Sequence, residues 1–224
     1  MQNCTNQDTP RPKTMSDYQE YPYRSTEGGQ HLEYIRPVLL ELLGPPANQT
    51  ILDLGCGNGA LAGSLLEAGY NIYGTDASES GIRFARERHP GRFFLQNLDH
   101  NALPAELSGV RFNHIILTEV IEHLYAPRQI VAFCKEILRQ NGGGQVILST
   151  PYHGYWKNLL LALTGKMDDH FTALWDGGHI KFWSRKTLTA LLEEQGFKVT
   201  QFKGAGRIPF LWKSMLIKAV LEQV

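Results

Sequence analysis

The chain reads as a doubly wound α/β protein on a mostly parallel, seven-stranded sheet with an antiparallel C-terminal hairpin and a helical insertion after the fifth strand. Three observations lead there. From Leu32 onward, short apolar runs alternate with stretches of helical period, the pattern of repeated βα units whose strands are covered on both faces. The first such run, Ile51-Leu-Asp-Leu54, stops on Gly55-Cys-Gly-Asn-Gly59, a glycine-rich strand-to-helix turn. After five units the tail carries two further runs, Phe197–Phe202 and Ser214–Val220, which pair most simply as a closing hairpin.

Taken in order, residues 1–17 are polar with Pro10 and Pro12 and are expected to be a disordered leader, with residues 18–224 forming one domain. The tyrosines between Tyr18 and Tyr23 either order over a ligand or simply pack. Leu32, Ile35, Val38, Leu39, Leu42 and Leu43 recur at helical spacing until Gly44-Pro-Pro46 stops the helix. A strand at 51–54, a helix to Ala68, a strand at 71–75, a helix capped by Ser78 and running to Arg88, and a strand at 92–95 follow. His114–Thr118 is the fourth strand, Pro127 opens a helix ended by Asn141-Gly-Gly-Gly144, and Val146–Leu148 is the fifth strand. Ser184 caps a helix that stops at Gly196, and the run Leu216–Leu221 fits a terminal helix as well as a strand.

Residues 151–183 break the alternation and hold three of the four tryptophans, Trp156, Trp175 and Trp183. Ligands of doubly wound sheets sit beyond the carboxyl ends of the strands, so this insertion is expected to be an acceptor lid, with a small aromatic satellite core as the plainer reading. Within it Leu159–Leu163 reads as a short buried helix, and His153 and His170 as surface or lid residues.

Composition narrows the partners. With 224 residues, 42% hydrophobic, the chain holds one substantial core. Lys+Arg and Asp+Glu both number 22, so no net field draws it to nucleic acid or an anionic membrane. Cys4, Cys56 and Cys134, odd in number and without a C-x-x-C pair, favour neither a disulfide framework nor a zinc site and make a reducing cytoplasm the default. No apolar run approaches the ~18 residues of a spanning helix, while peripheral membrane contact and oligomeric state stay open.

The glycines alone also fit the dinucleotide pattern through Gly55, Gly57 and Ala60, which leaves an NAD(P) oxidoreductase as an alternative. Two carboxylates weigh against it. Asp53, two residues before the first glycine, would hold the N–H groups of the turn or face a ligand ammonium. Asp76 ends the next run, Ile72-Tyr-Gly-Thr-Asp, at the spacing of an acid that grips both hydroxyls of a ribose. No lysine follows the glycines, which excludes a P-loop. A ligand with an adenosine, an ammonium and no phosphate satisfies these demands, and S-adenosylmethionine (SAM) is such a ligand.

On Asp53-Leu-Gly-Cys-Gly-Asn-Gly59, Thr75-Asp76 and Thr118-Glu-Val-Ile-Glu-His-Leu124, the chain resembles the class I SAM-dependent methyltransferases, and among them the ubiquinone-biosynthesis O-methyltransferase branch. The resemblance runs from about residue 30 to the C-terminus. It implies the Rossmann-like methyltransferase fold and methyl transfer to a hydroxyl of a small aromatic or quinol-like acceptor. It implies cofactor contacts by Asp53, Gly55, Cys56, Gly57, Asn58 and Gly59, by Asp76 with Ala77, by Asn97 and Thr118, and by an acid at the adenine, for which the register before Leu103-Pro104 favours Asp99, a residue whose plainer reading is a turn cap.

A phenol has a pKa of about 10, so at neutral pH its methylation needs a base or a metal. His123, at the carboxyl end of the fourth strand, is the candidate base. Glu119, Glu122 and His123 stand at i, i+3 and i+4, so one helical turn would point all three the same way, a spacing that suits a divalent cation such as Mg²⁺. The resemblance adds His179 as a fourth ligand; the plainer reading of Glu122 and His123 is a helix cap. Methyltransferases of RNA 3′-terminal ribose resemble this quartet too, an alternative that neutral charge disfavours. A regulator that binds SAM without consuming it is a further alternative.

Overall fold

Five strands run parallel: β1 (Thr50–Leu54), β2 (Asn71–Asp76), β3 (Phe93–Leu95), β4 (His114–Thr118) and β5 (Gly144–Pro151). Two more, β6 (Lys198–Ala205) and β7 (Ser214–Leu221), complete a seven-stranded sheet of order β3-β2-β1-β4-β5-β7-β6. This computed structural model describes residues 22–98, 102–171 and 173–221. The leader 1–17, Tyr18 and Asp99 lie outside the described residues.

Side-chain alternation along the strands explains why helices cover both faces. Leu52, Leu54, Ile115, Leu117, Val146, Leu148, Met215 and Ile217 join one core with Ile130, Leu138, Leu188 and Leu192. These last belong to α4 (Pro127–Gln140) and α7 (Arg185–Glu194). Their neighbours Ile51, Ile72, Ile116, Ile147 and Leu216 join a second core with Ile35, Leu39, Leu61, Leu65 and Ile82, from α1 (His31–Leu43), α2 (Ala60–Glu67) and α3 (Glu79–Arg88). Both faces of the central strands are therefore dry, which is why those strands are continuous apolar runs.

The tail settles as strand rather than helix: β7 pairs with β5 from Gly144↔Leu221 to Pro151↔Ser214, antiparallel, and with β6 on its other side. A dinucleotide-binding oxidoreductase would place a further parallel strand there. β6 runs on through Gly204 and Ala205, beyond Phe202 where the apolar run read from the sequence ends. β1 pairs with both β2 and β4, so the strand order reverses beside it, and the crevice at the carboxyl ends of β1 and β4 is where such a fold binds ligands.

The insertion forms α5 (Tyr155–Leu163) and α6 (Met167–Phe171). The expectation of a buried helix at Leu159–Leu163 is wrong: Leu160 and Leu163 are exposed, as are Tyr155 and Trp156, and the buried residue of α5 is Lys157. A satellite core does exist, with His153 stacked on Phe171, edge-on to Phe182 and beside His170.

Candidate active site at the carboxyl edge of the sheet

The bend after β1 is built by Gly55, Gly57 and Gly59 at φ 82°, 57° and 73°, a backbone region that side chains disfavour. Its donors are spoken for from within. The N–H groups of Gly55 and Cys56 both reach the Thr75 carbonyl, at 2.8 and 3.0 Å, and that of Gly57 donates to Asp76 Oδ2 at 2.8 Å. So β2, not Asp53, holds the bend, which corrects one of the two roles offered for Asp53. Asp53 is 1% exposed and its Oδ1 has no hydrogen-bond partner. Burial, then the charge of Asp76, pushes its carboxyl up to about 8. Leaving a buried acceptor bare costs about 1–3 kcal/mol, so this oxygen marks a place where a cationic donor is wanted.

Asp76 carries a second duty. Besides Gly57, the Ser78 N–H donates to its Oδ1 at 2.8 Å. Burial raises its carboxyl while the N–H groups of Ser78, Gly57 and Ala77 pull it back. Three main-chain donors on a carboxylate with about four acceptor sites leave one open for a hydroxyl.

Other residues on the expected cofactor list turn elsewhere. The Cys56 thiol is buried in the core with Ile72 and Phe93, so only its main chain faces the bend. Asn58 is buried and spends its side chain on the N-terminal segment, its Nδ2 donating to the Ser25 and Glu27 carbonyls, both at 2.8 Å. Tyr23 lies against Gly57 and Gly81, its N–H bonded to Ser80 Oγ at 3.1 Å, so this tyrosine covers the bend. Asn97 follows β3 and Thr118 ends β4, both half-buried at the same edge.

Past β4 the helical-turn reading fails. Glu119 has a φ of 54°, rare outside glycine, and only Ile121–His123 makes a single 3-10 turn. The Glu119 carboxylate instead accepts the hydroxyls of Ser149 on β5 at 2.9 Å and Ser214 on β7 at 3.4 Å. Burial pushes it up to about 7, against the pull of those serines and of Lys157.

Glu122, His123 and His179 do meet: one ligand atom of each lies within 4.8 Å of the others, and Glu119 is outside that set. The chain brings His179 there because the N–H groups of Ile180 and Lys181 both donate to the Glu122 carbonyl, at 2.9 and 3.0 Å. Glu122 is fully buried and neither carboxylate oxygen has a hydrogen-bond partner; burial and then Glu119 push it well above the usual range. His123 Nδ1 faces the carbonyls of Gly177 and Gly178 at 3.0 and 3.2 Å. Carbonyls only accept, so the ring proton is assigned to Nδ1 and Nε2 keeps its lone pair. Burial lowers His123, and lowers His179 to about 4 with help from His123 and His170. Both rings are thus neutral bases at neutral pH.

Sequence reasoning missed Lys157. It is 7% exposed, its ammonium donates to the Lys213 carbonyl at 3.4 Å, and burial followed by Arg207 lowers it to about 8. The signal was a single charge in an otherwise uncharged helix, Tyr155-Trp-Lys-Asn-Leu-Leu-Leu-Ala-Leu163.

Residues 27–202 match the family profile described as a methyltransferase domain. The chain belongs to that family. It is 30% identical over 161 residues to a ubiquinone biosynthesis O-methyltransferase of Dinoroseobacter shibae, covering 69% of this chain and 62% of that one. It is 31% identical over 176 residues to the Ruegeria sp. protein of the same name, covering 75% and 68%. A solved SAM-dependent methyltransferase of Aquifex aeolicus superposes with a TM-score of 0.62 at 15% identity, covering 87% of this chain and 94% of the other. That structural likeness concerns the fold. This methyltransferase-family chain thus spans about three fifths of the first relative's length, and its similarity to the ubiquinone branch agrees with the motif resemblance.

Proposed function

We propose that this protein transfers the methyl group of SAM to a hydroxyl of a small aromatic or quinol-like acceptor. The observation that carries the cofactor half is the bare, buried Asp53 oxygen beside a bend already fastened by Asp76. A phosphate ligand would need the bend's N–H groups, and those of Gly55, Cys56 and Gly57 are taken; an ammonium needs an acceptor, and Asp53 offers one. In this reading Asp53 faces the amino group of SAM, Asp76 its ribose and Asp99 its adenine. Gly55, Gly57 and Gly59 make room for Val120, Tyr23 and the Ala85–Phe93 pair to pack on the bend, and in this reading the bend's main chain, with that of Cys56, and Ala77 and Thr118 flank the ligand. Similarity to the ubiquinone-branch enzymes supports the oxygen acceptor.

Transfer breaks the sulfur–methyl bond and forms an oxygen–methyl bond, with the sulfur keeping the electron pair. The acceptor's proton must leave, and His123 Nε2 holds the lone pair that takes it. The buried cation–nucleophile pair loses charge as it reacts, so excluding water helps; Tyr23 over the bend and the insertion past β5 are placed to do that.

A second reading uses the same cluster as a cation site, favoured by the bare Glu122 carboxylate. One carboxylate and two imidazoles suit zinc, iron or manganese better than Mg²⁺, and Glu119 stands aside unless it leaves its serines. A bound ion would lower the hydroxyl's pKa. The two roles compete for one lone pair on Nε2, so metal removal separates them.

Labelled SAM, offered with catechols, quinols and short RNAs with and without a chelator, tests this. Label on a catechol or quinol is expected. Chelator-insensitive transfer assigns His123 as the base, and transfer abolished by chelator and restored by a divalent ion assigns the cation. Label on RNA alone, or tight SAM binding with no consumption, would reverse the proposal.

A further inference from the structure

The turn that follows β4 contains no glycine, yet its first residue, Glu119, stands at φ 54°. Glycine takes that conformation without strain, and other residues keep it only where their surroundings impose it. What imposes it here is a reciprocal clamp. The Glu119 N–H donates to the Ser149 carbonyl at 3.2 Å and to Ser149 Oγ at 3.1 Å, and the same hydroxyl donates back to Glu119 Oε1 at 2.9 Å. A longer bond, 3.4 Å, runs from the Ser214 hydroxyl to Oε2. Ser149 lies in β5 beside Thr118, and Ser214 opens β7, so one side chain ties the end of β4 to two other strands.

Val120 receives the consequence. A methyl group placed on Gly55 would lie 2.5 Å from Val120 Cγ2, so this side chain presses on the first glycine of the bend. The Val120 carbonyl accepts the His123 N–H at 3.0 Å, closing the short 3-10 turn that carries His123. Val120 thus touches the bend with its side chain and the candidate base with its main chain. Rotation at Glu119 would move both contacts together, because Val120 and His123 both follow that N–Cα bond.

We propose that Glu119 is a positioning residue for methyl transfer: by clamping the left-handed turn it sets the distance between the cofactor bend, through Val120 on Gly55, and His123. The inference rests on the methyl-transfer reading. It gives Glu119 a task other than the cation ligand that its spacing suggests.

Glu119→Gln, Glu119→Ala, Val120→Ala and the double variant Glu119→Ala/Val120→Ala test this beside the wild type. Three quantities are read: transfer of label from SAM to catechol, the calorimetric affinity for SAM, and the NMR cross-peaks between the Val120 methyls and the Gly55 main chain. Glu119→Ala is expected to lower kcat about a hundredfold, the cost of an ångström-scale displacement, while the SAM dissociation constant moves less. Glu119→Gln keeps an acceptor for the Ser149 hydroxyl and should hold kcat within about tenfold of the wild type, a charge-assisted hydrogen bond having become a neutral one. The double variant should lose no more than Glu119→Ala alone, since both changes act through one contact. The cross-peaks should vanish in Glu119→Ala and persist in Glu119→Gln. Should Glu119→Ala not fold, Ser149→Ala releases the same clamp and takes its place.

Glu119→Gln as slow as Glu119→Ala would mean that the charge itself meets a proton or an ion, and overturns the inference. So do an undiminished kcat in Glu119→Ala, equal losses of kcat and SAM affinity, or additive losses in the double variant. If the wild type labels no acceptor, the methyl-transfer reading fails while the cross-peaks still decide: lost in Glu119→Ala and kept in Glu119→Gln they uphold the clamp, and unchanged in both they sink it.

Discussion

Asp53 and Asp76 sit at the ends of neighbouring strands and carry opposite burdens. Asp76 accepts two main-chain N–H groups, from Gly57 and Ser78, so it is part of the fold as well as a candidate ribose ligand. The strand-end position read from sequence suggests that Asp76→Ala spares the fold; the hydrogen bonds say otherwise. Asp76→Ala is expected to lose SAM binding and also about 1–3 kcal/mol of stability, because two buried donors lose their acceptor. Chemical denaturation beside calorimetric titration with SAM checks both. Asp53→Asn should behave differently, since no internal donor depends on its Oδ1. We expect SAM affinity to fall about tenfold or more through loss of a charge-assisted bond, with ligand-free stability at pH 8 unchanged or higher. A large drop in ligand-free stability would show that Asp53 has an internal partner after all.

At the scale of elements, the site is assembled by loops that unrelated strands and helices hold in place. His179 reaches His123 only because the stretch before α7 docks its N–H groups on the Glu122 carbonyl. The start of α7 is fixed by a reciprocal cap: Thr187 N–H donates to Ser184 Oγ, and Ser184 N–H to the Thr187 hydroxyl. Ser184→Ala should cost about 1 kcal/mol of global stability. If the cap also steadies the histidine loop, the same variant lowers the transfer rate more than it lowers SAM affinity. Equal loss of both would confine Ser184 to a structural role. The N-terminal segment is a comparable device, tied down by Asn58 through the Ser25 and Glu27 carbonyls. Asn58→Ala should loosen it and weaken SAM binding without touching any carboxylate; unaltered SAM affinity would show that the cover contributes nothing.

Across the whole molecule, buried titratable groups set how stability follows pH. Asp53 is raised from 3.8 to about 8, so the stability associated with its protonated form is full below its unfolded value and fades as pH rises toward 8. His114 and His153 are lowered from 6.5 to about 4, so their neutral forms stabilise above 6.5 and that contribution is lost as pH falls toward 4. Between about pH 6.5 and 8 the ligand-free protein should therefore lose stability as pH rises, because there the histidines have finished titrating and the raised carboxyls of Asp53 and Glu119 have not. At a fixed SAM concentration the gain in thermal midpoint should be greatest near about pH 8, where Asp53 is becoming ionised and the amino group of SAM still carries charge. Thermal denaturation across pH 4.5–9 with and without SAM decides it; a SAM-induced shift that is uniform in pH would remove Asp53 from the cofactor site.

Much of this was written in one dimension. Glycines at alternate positions, two aspartates ending successive apolar runs, and apolar runs too continuous for a half-exposed sheet are local demands of backbone geometry and burial, and they yielded the sheet, its helices and the cofactor edge without any tertiary contact. What the periodicity of the chain could not convey was which groups satisfy one another across distant segments. That Thr75 and Asp76 fasten the bend, that Glu119 turns to serines on β5 and β7, and that His179 joins His123 all depend on long-range hydrogen bonds whose partners carry no shared pattern. Lys157 is the sharpest case: a lone charge in a greasy helix looks like a solvated exception, and only the tertiary structure buries it, with its ammonium on the Lys213 carbonyl.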